Sequence, residues 1–317
     1  MNKSDKRWVK GMRDSFFDAL FKIAQRDKNV VLLTADTGAI CHDDFKKYLK
    51  KQYINVGIAE QNMIGIAAGL AMAGKKVYVY AITPFVTARC FEQVGVDLCC
   101  MNLNVTVVGI GAGYDYSTLG PTHHGTEDIA LMRMLPGMKI YSPSDSLMAE
   151  LFAGLTYKER CPNYIRLDRT GLPLVYKSRK DIDIESGFNL LKKSNDLYII
   201  ATGRMVLTAL EVSEKLYPDI KVGVIDLFRI KPLSEDKIWA AIKNIKDVIT
   251  LEEHFLSGGL ADAISRILVT KKSHPNLKAI GIKDKFCREY GSRQYLHSVN
   301  HIDTDSIVST LLNMARS

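Results

Sequence analysis

Residues 55 to 74, Asn-Val-Gly-Ile-Ala-Glu-Gln-Asn-Met-Ile-Gly-Ile-Ala-Ala-Gly-Leu-Ala-Met-Ala-Gly, set one carboxylate, Glu60, at the head of an otherwise uncharged helix. An ionised carboxylate withdrawn from water is strongly destabilised unless it is paired or hydrogen-bonded. Glu60 therefore implies either a ligand that needs an acid or a capping role at the first helical turn. Gly65, Gly69 and Gly74, with Ala67, Ala68, Ala71 and Ala73, leave a side-chain-poor surface on which a second backbone or a flat ring could lie.

Three further groups have chemistry-bearing spacing. Gly111 to Gly125 (Gly-Ala-Gly-Tyr-Asp-Tyr-Ser-Thr-Leu-Gly-Pro-Thr-His-His-Gly) is a long glycine-bearing loop after an apolar run. Ordering such a loop costs entropy, which favours a functional role. His123 and His124 could donate to a developing oxyanion or carry a proton near neutral pH. Adjacent residues seldom share a direction, so His123 is the site candidate and His124 the structural one. Phe85, Phe91 and Arg89 occupy one turn; the aromatics read either as core or as a platform for a planar heterocycle, with Arg89 beside it. Arg166 and Arg169 alternate at another strand end, where a guanidinium fork suits phosphate, the alternative being ion pairs with Asp168 or Asp145.

These groups need a scaffold, and the hydrophobic pattern supplies one. Apolar runs at 30–33, 76–81 and 105–110 predict strands, and 12–26, 59–73 and 86–101 predict helices around them. After a polar stretch at about 175–195 the alternation resumes: strands 197–201, 222–226 and 247–251, helices 204–216 and 234–244. Glu252-Glu253-His254, before Gly258-Gly259, falls at a predicted strand end. The expectation is two doubly wound α/β domains, 1–185 and 190–317, with ligands outside the carboxyl ends of the strands. The 317 residues can bury two cores, and 47% apolar with 25% charged residues fits a globular chain. Met1 to Trp8 lacks the apolar centre of a signal peptide and no apolar run is long enough to span a bilayer, so a cytoplasmic protein without membrane contact is expected. Six scattered cysteines without a C-x-x-C pair suggest neither a disulfide framework nor a zinc site, and the histidines lack a third metal ligand. The net charge of +8 favours anionic partners, but the basic residues are dispersed among acids, so phosphorylated metabolites are expected rather than nucleic acid.

With Val56-Gly-Ile-Ala-Glu-Gln-Asn62, Gly120-Pro-Thr-His123 and Leu167-Asp-Arg-Thr170 in view, the chain resembles the C-terminal half of transketolase and the matching part of 1-deoxyxylulose-5-phosphate synthase. The resemblance runs nearly end to end. It takes in Met12-Arg-Asp-Ser-Phe16, Leu131 to Asp145, Ile230-Lys-Pro-Leu233 and Glu252 to Gly259. It implies a pyrimidine-binding domain followed by a transketolase C-terminal domain, with thiamine diphosphate and Mg2+ as cofactors. Glu60 matches the glutamate that hydrogen-bonds the aminopyrimidine ring and promotes its proton-abstracting imino form. The resemblance further places Phe85, with Phe91 as its rival, together with Arg89 and Asp36, at the cofactor. His123, His124, Arg169 and Tyr114 fall at the substrate, His123 near its reacting oxygen and Arg169 at its phosphate.

The Gly-Asp-Gly motif through which the family holds magnesium and diphosphate does not occur in this sequence. The resemblance thus implies a split enzyme: a separate N-terminal subunit carries the diphosphate and metal site, in an α2β2 assembly. The expected activity is transfer of a two-carbon ketol unit from a ketose phosphate to an aldose. Alternatives are a β-type subunit of a 2-oxo acid dehydrogenase, a carboligase like 1-deoxyxylulose-5-phosphate synthase, and a non-catalytic assembly subunit. Two departures bear on substrate. Leu119 stands where transketolase has a hydroxyl-binding aspartate, and Gly111 where it has a phosphate-contacting histidine. An apolar side chain there penalises an unmatched hydroxyl, so an unusual sugar is expected.

Overall fold

The structure, a computed structural model, describes residues 10–316. The stretch Met1 to Trp8, read above for a signal peptide, lies outside the described residues. In chain order the strands are β1 (Val30–Thr34), β2 (Tyr53–Asn55), β3 (Lys76–Ile82), β4 (Val105–Ile110), β5 (Lys139–Tyr141), β6 (Asn163–Leu167), β7 (Asn189–Lys192), β8 (Leu197–Ala201), β9 (Val222–Asp226), β10 (Arg229–Lys231), β11 (Asp247–Phe255) and β12 (Asn276–Ile282).

The chain folds as two compact units whose boundaries interleave. One contains residues 10–111, 135–139 and 145–182, the other 112–134, 140–144 and 183–316. In the first unit β6, β4, β3, β1 and β2 lie side by side in that order and run parallel. In the second the order is β12, β11, β8, β9, β7, parallel except for the antiparallel edge pair β7–β9. β1, β4, β8 and β9 are buried at every residue, which is why they read as unbroken apolar runs rather than as alternations. Each sheet is thus the α/β architecture expected, and no helix is long and apolar enough to cross a membrane among the described residues.

The helix Glu60–Met72 buries Met63, Ile64, Ala67 and Ala68. It ends at Gly74, whose φ of +85° favours glycine, while Lys75 N–H reaches back to Leu70 O at 3.0 Å. The predicted helix 86–101 is not continuous. A turn of helix at Thr83–Val86 stops at Thr87, a second starts at Phe91, and Val94–Cys100 winds as a wider π-helix. Thr83 O accepts from both the N–H (3.0 Å) and the Oγ1 (2.6 Å) of Thr87; beyond that point Arg89 N–H turns to Pro84 O at 3.1 Å, and Phe85 O accepts from Cys90 Sγ at 3.1 Å instead. β11 also runs four residues beyond its expected end, so Glu252, Glu253 and His254 lie inside a buried strand.

Candidate functional site

Parallel strands end on one edge, and in the first unit that edge gathers the predicted residues. Asp36 follows β1, Glu60 follows β2, Phe85 and Arg89 follow β3, and Arg169 follows β6. Glu60 is 3% exposed, and Arg89 Nη1 meets its Oε2 at 2.7 Å. The Arg89 guanidinium also lies over the Phe85 ring, 4.1 Å from its centroid. The break at Thr87 is what turns Arg89 back onto both. Among the described residues Arg89 is the one polar side-chain partner of Glu60, which leaves Oε1 able to meet a ring nitrogen. A near-buried carboxylate, one oxygen anchored and one available, beside an aromatic face fits the pyrimidine end of thiamine diphosphate.

The other predicted residues of this unit sit less tightly. Phe91 opens its short helix half-buried, and its ring is not part of the Glu60–Arg89–Phe85 chain of contacts. Asp36 is exposed, in a left-handed conformation (φ 52°), where its N–H donates to Asn55 Oδ1 at 2.9 Å and its carboxylate accepts from Asn55 Nδ2 at 3.2 Å. Arg169 is exposed beyond β6, whereas Arg166 is 3% exposed inside that strand, so the two do not share one strand end. Asp145 is no partner of either. Its carboxylate accepts from the backbone N–H groups of Met148, Val175 and Tyr176, capping the helix Ser146–Lys158.

His123, His124 and Tyr114 belong to the second unit. Residues 113 and 125 exchange backbone hydrogen bonds of 2.9 and 2.8 Å, closing the loop between them at its neck. His123 is half-buried; Thr122 Oγ1 sits 2.9 Å from its Nδ1 and the Tyr116 ring stands edge-on at 6.2 Å. His124 is 2% exposed and packs edge-on against Tyr114 at 4.9 Å, and burial pulls its imidazole below its ordinary value. Burial likewise pushes the Tyr114 phenol up, so it stays neutral. Leu119 is 48% exposed at the loop surface, and Tyr290 lies so close to Gly120 that a Cβ there would come within 2.6 Å of its hydroxyl.

Two residues that the sequence did not nominate, Arg293 and His297, complete this unit around Glu253. Glu253 Oε1 accepts from Tyr114 N–H at 3.1 Å, Arg293 Nε at 2.9 Å and His297 Nε2 at 2.5 Å. Burial alone would raise the Glu253 carboxyl, but Arg293 and His297 hold it well below the usual carboxylate range. Glu252 accepts from Leu260 N–H and Ala261 N–H at the start of the helix Leu260–Leu268, and His254 Nε2 accepts from Ala130 N–H at 3.3 Å. The four-residue spacing of Arg293 and His297 on the helix Arg293–Val299 places both on one face, a pattern visible in sequence only once their target is known.

Comparison with known proteins identifies the family. The transketolase pyrimidine-binding domain model matches residues 10–173, and the transketolase C-terminal domain model matches residues 187–307. One of the subunits of an apulose-4-phosphate transketolase from Phocaeicola vulgatus is 35% identical over 306 residues, covering 96% of this chain and 97% of the relative. A 6-deoxy-6-sulfo-D-fructose transketolase subunit from Clostridium sp. (strain MSTE9) is 33% identical over 296 residues, covering 93% and 90%. Among solved structures, a split-gene transketolase in an inactive β4 tetramer superposes with a TM-score of 0.87 at 31% identity, covering 96% of this chain and 98% of its own. The chain therefore belongs to the transketolase family, of which it comprises the pyrimidine-binding and C-terminal domains in the manner of the split-subunit members.

Proposed function

We propose that this chain is the C-terminal subunit of a split transketolase-like enzyme that moves a two-carbon ketol unit from a ketose phosphate to an aldose, using thiamine diphosphate and Mg2+. The observation that carries the reading is Glu60: a nearly buried carboxylate with Oε2 held by Arg89 beside the Phe85 ring. When bound, thiamine diphosphate supplies the electron sink that makes cleavage of a carbon–carbon bond beside a carbonyl feasible. The residues of this chain bind and orient. Glu60 Oε1 would hydrogen-bond the pyrimidine ring and hold a proton there, Arg89 fixes the carboxyl plane, and Phe85 would offer a stacking face. His123, with Nδ1 set by Thr122, hydrogen-bonds the substrate oxygen that gains charge. Exposed Arg169 takes the substrate phosphate, with His124 and Tyr114 as the packed support behind His123.

The diphosphate and metal site belong, in this reading, to an N-terminal partner subunit, and the exposed face of the helix Glu60–Met72 supports one. Beyond their own helix backbone, Gly65 and Gly69 have no atom of the described residues within 4 Å of where a Cβ would stand. Two interior glycines cost a helix about 2 kcal/mol relative to alanine, which no contact among the described residues requires. A second backbone approaching that face does require it. Ile58 (78% exposed), Met72 (65%) and Val96 (56%) extend the same apolar surface, the last from the π-helix packed beside it.

The test is Glu60→Ala in the assembled pair. Arg89 is 41% exposed, so losing its pair costs the fold no more than about 1 kcal/mol. Titration calorimetry with thiamine diphosphate and Mg2+ and a ketol-transfer assay on xylulose 5-phosphate should give a folded complex without turnover. Near-normal transfer by the variant would sink the reading, as would acyl transfer to a lipoyl domain by the unaltered pair.

A further inference from the structure

The Glu252-Glu253-His254 run has no part in the chemistry above, yet its middle residue is a buried carboxylate held by Tyr114, Arg293 and His297. Glu253 is 3% exposed and Arg293 9%. Arg293 Nε and Nη2 both engage the Glu253 carboxylate, Nη2 also donates to Ala112 O at 3.0 Å, and Nη1 lies 3.5 Å from Asp115 Oδ1. Glu253 itself takes the Tyr114 N–H. Three anchors of the loop's first limb, at 112, 114 and 115, therefore converge on one buried ion cluster. Gly113 lies between them with φ +56°, and a Cβ there would stand 2.3 Å from Glu253 Oε2. The loop neck sits directly on the carboxylate, in a place that no larger residue could occupy.

We propose that Glu253, Arg293 and His297 form a clamp that positions the His123 loop: positioning residues for substrate binding, contributed by β11 and by the helix Arg293–Val299. The connection runs through named contacts. Glu253 holds the Tyr114 backbone, the Tyr114 ring packs on His124, and His124 fixes the direction of its neighbour His123. The neck bonds between 113 and 125 return the other limb to the same anchor. A loop so tied is pre-organised, and freeing it lets His123 sample positions away from the substrate oxygen.

This inference rests on the ketol-transfer reading only for its kinetic arm. Hydrogen exchange on the full chain is measured for wild type, Glu253→Gln and Arg293→Lys, the second keeping the charge while losing the bond to Ala112 O. Amides of residues 113–125 should be accelerated in both variants by roughly tenfold more than those of β8 and β9 in the same unit. In the assembled pair, kcat/KM for the ketose phosphate should fall by about a hundredfold in Glu253→Gln. Adding His123→Ala to that variant should cost far less than it costs the wild type. Unchanged exchange across the loop in either folded variant overturns the clamp, and fully additive losses overturn its role in positioning His123. If the wild-type pair performs no ketol transfer, the functional reading fails, while the clamp stands or falls by exchange alone.

Discussion

Arg293→Met tests how the buried cluster stores stability. The substitution keeps most of the side-chain volume but removes both contacts to the Glu253 carboxylate, the bond to Ala112 O and the charge facing Asp115. Glu253, 3% exposed, then keeps only the His297 and Tyr114 contacts. Breaking one side of a buried ion pair costs about 3–5 kcal/mol, because the remaining charge is left without compensation. That is a large part of the ~5–15 kcal/mol by which a domain is stable. The pH dependence follows from the direction of the Glu253 shift. Its folded-state value lies well below the ordinary 4.5, so its contribution is complete above that value and is lost as pH falls through the folded one. The difference between wild type and variant is therefore largest at neutral pH and shrinks under acid. Urea titrations followed by ellipticity, at about pH 7 and about pH 4, measure it directly. Adding Glu253→Gln should restore most of the loss, since the stranded charge is gone. A neutral-pH cost below about 1 kcal/mol, or a double variant as unstable as the sum of its parts, would refute the reasoning.

Two further outcomes are expected. His42 is fully buried with neither ring nitrogen hydrogen-bonded, edge-on to Phe17 and Tyr80, and burial, then Lys46 and Arg13, pulls its value down to about 3. The unfolded chain takes up a proton near 6.5 that the folded chain refuses, so stability is complete above that pH and falls on acidification, by about 2 kcal/mol at pH 5; His42→Leu should remove that component from the pH profile, and an unchanged slope would contradict it. Gly69 is exposed and a Cβ there would meet nothing beyond its own helix backbone within 4 Å, so in Gly69→Leu the separate chain should be as stable as wild type or more so, while light scattering should show loss of assembly with the proposed N-terminal partner; normal assembly would place the partner elsewhere.

Much of the scaffold was legible because the strands that form it are buried on both faces. Val105–Ile110 and Leu197–Ala201 read as strands from composition alone, and the helix starting at Glu60 from its small and apolar residues. The 86–101 segment reads as one helix but is not: Arg89 N–H bonds Pro84 O rather than Phe85 O, which takes the Cys90 thiol, and periodicity is blind to that choice. The difference touches the site, since this break turns Arg89 onto Glu60 and Phe85. Arg166 departs from expectation for a simpler reason: alternation along 164–169 does not mark where the strand stops, and β6 ends only after Leu167.

The sequence by itself determined the family and the type of each sheet, and it singled out Glu60 as the candidate acid, because those depend on residue types within short windows: a lone carboxylate before an uncharged helix, and apolar runs of strand length. Only the tertiary structure decided what that acid touches and what holds the histidine loop. Glu253 meets Tyr114 across 139 positions of chain and Arg293 across 40, and His254 meets Ala130 across 124. Contacts so distant in sequence leave no periodic trace. They exist because removing a carboxylate from water is costly enough that folding must bring a guanidinium, an imidazole and a backbone N–H to the same point.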